Sequence, residues 1–132
     1  MSNYNVKRLV EAAKEARKFS QAKYSNFRVG AAILTEDDQI YTGCNVESSS
    51  YGLTICAERV ALTKALSEGK TRFKAIAIFA KEGEFCPPCG ACRQLLVDYA
   101  PKIEVILSDN QTIKSYKISD LLPLAFEESQ LD

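Results

Sequence analysis

Two cysteine-bearing segments constrain this chain more than anything else in it. The first, Thr54-Ile55-Cys56-Ala57-Glu58-Arg59-Val60-Ala61-Leu62, sets a thiol, a carboxylate and a guanidinium at the head of what reads as a buried helix. The second, Cys86-Pro87-Pro88-Cys89-Gly90-Ala91-Cys92, crowds three thiols into one run that also opens a helix. Packing asks for none of these groups. A fold that uses them has to bring two helix starts, distant in sequence, to one place.

The remaining composition narrows what they can do there. Five cysteines are an odd count, and in a chain expected to be cytoplasmic they are a poor disulfide framework. The chain holds no histidine, so Ser-His-Asp and Cys-His mechanisms are excluded, as is any zinc site with imidazole ligands. Lys+Arg and Asp+Glu are both 17, which argues against a nucleic-acid or anionic-membrane partner held by bulk charge. The start, Met1-Ser2-Asn3-Tyr4-Asn5, lacks a basic stretch followed by an apolar run, so no export signal is expected, and no apolar run approaches a membrane span. At 132 residues and 46% hydrophobic, the sequence is expected to form a single domain, 1–132, with a real core.

Periodicity orders the elements. Val6, Leu9, Val10, Ala13 and Ala16 recur at helical spacing and predict a helix over about 4–20, capped by Asn3 or Ser2. Residues 28–34 read as a buried strand and 39–46 as its hairpin partner. A helix is expected from Cys56 to about Ser67, closed by Gly69, then a strand over 73–80. A helix over 89–99 ends at Pro101, followed by strands at 103–107 and 112–118 and a short helical turn capped by Ser119. The order α-β-β-α-β-α-β-β predicts a three-layer α/β/α architecture with a mixed five-stranded sheet. The starts of the two central helices should lie at one edge, at the ends of adjacent strands.

A Cys-x-x-Cys turn at a helix start puts two sulfurs within reach of one metal ion, and Cys56 could supply a third. Zinc held by three protein ligands keeps a fourth position open, as catalytic sites do. Cys56 is expected at the helix cap, aiming off the end, with Glu58 in the first turn. Three thiolates and one Zn2+ sum to −1, so two helix N-termini, with Arg59 and Arg93 donating to the sulfurs, are expected to offset the charge. From spacing alone other readings stand beside this one. Cys56, Cys86, Cys89 and Cys92 could close a structural four-sulfur site, the Cys-x-x-Cys could be redox-active, and the run could hold an iron–sulfur cluster.

Cys56-Ala57-Glu58 with Pro88-Cys89-Gly90-Ala91-Cys92-Arg93-Gln94 resembles the zinc deaminase signature, in which the Glu is the general acid/base. Its all-cysteine form is similar to that of the small tetrameric cytidine deaminases acting on free nucleosides. Tyr24-Ser25-Asn26-Phe27 with Val29-Gly30-Ala31-Ala32, Gly43-Cys44-Asn45-Val46-Glu47, and Leu121-Leu122-Pro123 with Phe126 resemble further segments of that family, in order along nearly the whole chain.

The resemblance implies hydrolytic deamination of cytidine and deoxycytidine in pyrimidine salvage, with one Zn2+ per subunit on Cys56, Cys89 and Cys92. It implies Glu58 as proton shuttle and Arg59 as the residue tempering thiolate charge. Phe27 would stack on the base, Asn45 and Glu47 would bind the ribose hydroxyls, and Ala57 would touch substrate. Phe126 would come from a neighbouring subunit of a homotetramer with shared sites. Cys86 falls outside the motif. Arg28, Ser48 and Leu124 stand where the family usually has proline, often asparagine and commonly glycine; they touch the substrate rim, so a related nucleoside such as blasticidin S is the alternative substrate.

Overall fold

The computed structural model describes residues 4–127 and 131. The elements are α1 (Val6–Arg17), β1 (Gly30–Thr35), β2 (Ile40–Cys44), a 3-10 turn (Tyr51–Leu53), α2 (Ala57–Ser67), β3 (Phe73–Phe79), α3 (Gly90–Tyr99), β4 (Glu104–Ser108), β5 (Ile113–Lys117) and α4 (Ile118–Leu121). The expected caps Ser2 and Asn3 lie outside the described residues. Asn5 caps α1 instead, accepting from Arg8 N at 3.1 Å. Ser119 falls inside α4 rather than at its head, because the chain turns directly out of β5 after Lys117.

The five strands form one mixed sheet in the order β2-β1-β3-β4-β5, with β3 and β4 parallel and the other neighbours antiparallel. β1 is buried along its whole length because both faces of the sheet are covered there. Its residues alternate between two cores. Ala32 and Leu34 join Ala75, Ala77, Phe79 and Ile106 under Leu9, Val10 and Ala13 of α1. Ala31 and Ile33 join Ile76, Ile78, Val105 and Leu107 against α2 and α3. This is the three-layer arrangement, with α1 on one face and α2 and α3 on the other. No helix among the described residues is long and apolar enough to cross a membrane.

Two glycines set how closely the layers meet. A Cβ on Gly30 would stand 2.0 Å from the Ala13 carbonyl oxygen, and one on Gly43 would stand 2.5 Å from Ala61 N. Helix backbone therefore rests directly on strand backbone at both points, and Gly43 fixes where α2 begins. One expectation needs correction. β2, which feeds α2, and β3, which feeds α3, are not adjacent; β1 lies between them. Both run antiparallel to β1, so they still point the same way and release their helices at one edge. A hairpin after α1 inserts β1 between them, which crossover handedness alone does not reveal.

Candidate metal centre

Cys56 and Cys89 occupy the cap positions of α2 and α3, and neither side chain makes a capping hydrogen bond. Both thiols instead aim off the helix ends, where Cys92, one turn into α3, meets them. The Cys56 and Cys89 sulfurs are 3.6 Å apart, and those of Cys89 and Cys92 are 3.3 Å apart. All three sulfurs lie within 4.8 Å of one another. Zinc–sulfur bonds of about 2.3 Å in a tetrahedron put neighbouring sulfurs roughly 3.8 Å apart, so the donor set fits zinc with little movement. Cys92 is buried and Cys89 exposed, which leaves one side of the triangle facing outward.

Cys86 does not belong to this set of ligand atoms. It packs, partly buried, against the larger core, and burial, with Glu58 adding, pushes its thiol up to about 11. A closed four-sulfur site is therefore not what the fold assembles.

Glu58 is 5% exposed in the first turn of α2, an unusual place for a carboxyl group. Burial pushes it up to about 7; its own backbone N–H opposes this, and the charge of Cys56 adds to it. Cys56 moves the other way, to about 5, chiefly through the hydrogen bond with Cys92 and also through Arg59. Arg59 donates from Nη2 to the Thr54 carbonyl at 3.0 Å and reaches Cys56 Sγ at 3.9 Å. Its buried Nε has no hydrogen-bond partner among the described residues. A guanidinium left partly unspent next to sulfur matches a set of ligands that becomes anionic.

Arg93 departs from expectation. It does not donate to sulfur: Nε goes to the Pro88 carbonyl and Nη1 to the Leu121 carbonyl, each at 2.7 Å. It ties the C-terminal segment to the loop before Cys89 rather than offsetting thiolate charge.

A second group gathers around the loop between α1 and β1. Asn45, buried just past β2, donates Nδ2 to the Phe27 carbonyl at 2.8 Å and accepts on Oδ1 from Val29 N at 3.0 Å and from the Ser20 hydroxyl. Glu47 accepts from Tyr24 N and Ser25 N, each at 3.0 Å, and from the Ser25 hydroxyl. Those bonds, the hydroxyl's first, hold its carboxyl below its ordinary range. Asn26 takes a left-handed backbone (φ 57), and Phe27 follows it with 43% of its surface exposed. Ala57 is fully buried as the first residue of α2. Phe126 is half exposed, its carbonyl accepting from Gln94 Nε2 at 2.9 Å.

The structure thus joins Phe27, Asn45 and Glu47 through one loop, joins Cys56, Cys89, Cys92, Glu58 and Arg59 at two helix ends, and ties Phe126 to α3. Sequence reasoning missed Ser20 and Thr54. Neither belongs to a motif, and each acts on a side chain through a fold that spacing does not disclose.

Comparison with known proteins agrees with this geometry. The family model described as the cytidine and deoxycytidylate deaminase zinc-binding region matches residues 3–108. A probable cytidine deaminase of Dictyostelium discoideum is 43% identical over 133 residues, covering 99% of this chain and 90% of that protein. The solved structure of a cytidine deaminase from Burkholderia pseudomallei superposes with a TM-score of 0.89 at 46% identity, covering 93% of this chain and all of that one. A blasticidin-S deaminase of Bacillus cereus is 32% identical, covering 96% of this chain and 98% of that protein.

Proposed function

We propose that this chain, which belongs to the cytidine and deoxycytidylate deaminase family, hydrolyses cytidine and deoxycytidine to uridine and deoxyuridine, releasing ammonia. The observation that carries the reading is the convergence of three cysteine sulfurs beside a buried carboxyl group, Glu58, at the joined ends of α2 and α3.

Zinc is the cofactor, held by Cys56, Cys89 and Cys92, and when bound it supplies a Lewis acid that makes water nucleophilic near neutral pH. Glu58 takes the proton that the attacking water gives up and passes it to N3 of the base as the C4–O bond forms. It then takes the proton of the new C4 hydroxyl and delivers it to the amino nitrogen, so that C4=O forms as the C4–N bond breaks and ammonia leaves. Burial suits Glu58 to this work, since a carboxyl group poised near neutrality both accepts and donates. Arg59 stabilises the anionic sulfurs from behind Cys56.

Phe27 packs on the base. Asn45 and Glu47 bind sugar hydroxyls, with Ala57 at the wall beside them. Phe126 is supplied from a neighbouring subunit of a homotetramer whose sites are shared. The exposure of Phe19, Tyr24, Tyr51, Leu53 and Ile55 around these segments supports an assembly that covers them. The protein works as one domain in the cytoplasm, in pyrimidine salvage, with no nucleic-acid or membrane partner.

Absorbance assays of the purified zinc protein with cytidine, deoxycytidine and blasticidin S test the reading. The first two should be consumed with release of ammonia. Turnover of blasticidin S alone would transfer the chemistry to the antibiotic.

A further inference from the structure

Ser20 closes a buried ring of hydrogen bonds whose centre is the Asn45 amide. Both residues are nearly buried, at 3% and 8% exposure. Oδ1 of Asn45 accepts from Val29 N at 3.0 Å and from the Ser20 hydroxyl, and Nδ2 donates to the Phe27 carbonyl at 2.8 Å. These bonds fill the lone pairs of Oδ1 and use one of the two amide hydrogens. Turning the amide over would set N–H against the Val29 N–H and leave the Phe27 carbonyl facing oxygen. Ser20 is the side chain in this ring that is free to differ, since the other two partners are backbone.

Ser20 is itself held. Arg28 Nη1 donates to its carbonyl at 2.9 Å, and Gln21 N, next in the chain, donates to the Asn45 carbonyl at 2.9 Å. The end of α1, the strand start at Val29 and the segment after β2 are thereby locked around one amide.

We propose that Ser20 is a positioning residue for nucleoside recognition, its hydroxyl holding the Asn45 amide so that the second N–H points to a sugar hydroxyl. This rests on the role given to Asn45 above. Arg28 supports it from behind by fixing the Ser20 backbone.

The test measures kcat and KM for cytidine and the inhibition constant of 2′,3′-dideoxycytidine, which lacks the 2′- and 3′-hydroxyls, in the zinc-loaded parent and in Ser20→Ala, Ser20→Thr and Arg28→Ala. Ser20→Ala should raise KM for cytidine roughly 3- to 10-fold and leave kcat within about 2-fold, the scale of one hydrogen bond. The dideoxynucleoside constant should not move, and Ser20→Thr should restore KM. Arg28→Ala, an exposed change that leaves the ring intact, should show the same split at about 2-fold, and it carries the test if Ser20→Ala does not fold. Equal weakening for both nucleosides, or no restoration by threonine, would overturn the inference. A parent that binds the two nucleosides alike would instead overturn the hydroxyl role of Asn45 itself.

Discussion

Gly43 in β2 lies directly beneath Ala57 at the head of α2, so close that a Cβ on Gly43 would stand 2.5 Å from the Ala57 carbonyl oxygen. Cys56 precedes Ala57 and Glu58 follows it, so this contact sets the height of a metal ligand and of the proposed proton shuttle together. Gly43→Ala should push α2 outward, at a cost of about 1–3 kcal/mol typical of overpacking. Thermal denaturation should show the loss of stability, and metal analysis should show reduced zinc in the same variant.

Glu58→Gln keeps the shape of the side chain and removes its acid–base function. It should retain zinc and the fold while kcat drops by about 100- to 10,000-fold, the usual contribution of a positioned general acid/base. Metal content and circular dichroism measured beside the kinetics separate this outcome from unfolding. Turnover near the parent level would remove Glu58 from its proposed role.

Cys86 and Cys89 offer a paired comparison, since they are close in sequence and differ in placement. Cys86→Ser should hold a full equivalent of zinc, because Cys86 packs against the core and its sulfur lies outside the ligand triangle. Cys89→Ser should lose zinc and activity together. Equal loss from both variants would point to a four-sulfur site.

Leu124 is fully exposed and has a left-handed backbone with φ 52. A leucine there gains no burial and carries a steric cost of roughly 1–2 kcal/mol that glycine does not. Glycine gives part of that back through its freer unfolded chain, so Leu124→Gly should stabilise the protein by about 0.5–1 kcal/mol. Chemical denaturation of the two proteins checks this.

Much of this was legible before any coordinates. The α1 pattern of Leu9, Val10, Ala13 and Ala16 is the stripe found buried, and the apolar run from Ala75 to Phe79 in β3 is covered on both faces. Spacing alone leaves Cys86 beside Cys56, Cys89 and Cys92, and the resemblance to the zinc deaminase signature sets it apart; in the structure, helix starts present Cys56 and Cys89 and one turn of helix brings in Cys92. What spacing does not disclose is contact between distant loops. Ser20 meets Asn45 and Glu47 meets Ser25 because β1 pairs with β2 and draws the segments flanking both together, and Arg93 meets Leu121 because α4 packs on α3. Arg93 shows the limit well: its position in sequence resembles that of Arg59, but the Pro88 and Leu121 carbonyls lie within its reach and claim its guanidinium.

X-ray absorption at the zinc edge of the purified holoprotein tests the account most directly. It should report three sulfur neighbours at about 2.3 Å and one oxygen or nitrogen near 2.0 Å, the pattern of a centre with a place for water. Four sulfurs around the metal would contradict it, since no nucleophile could then form beside Glu58.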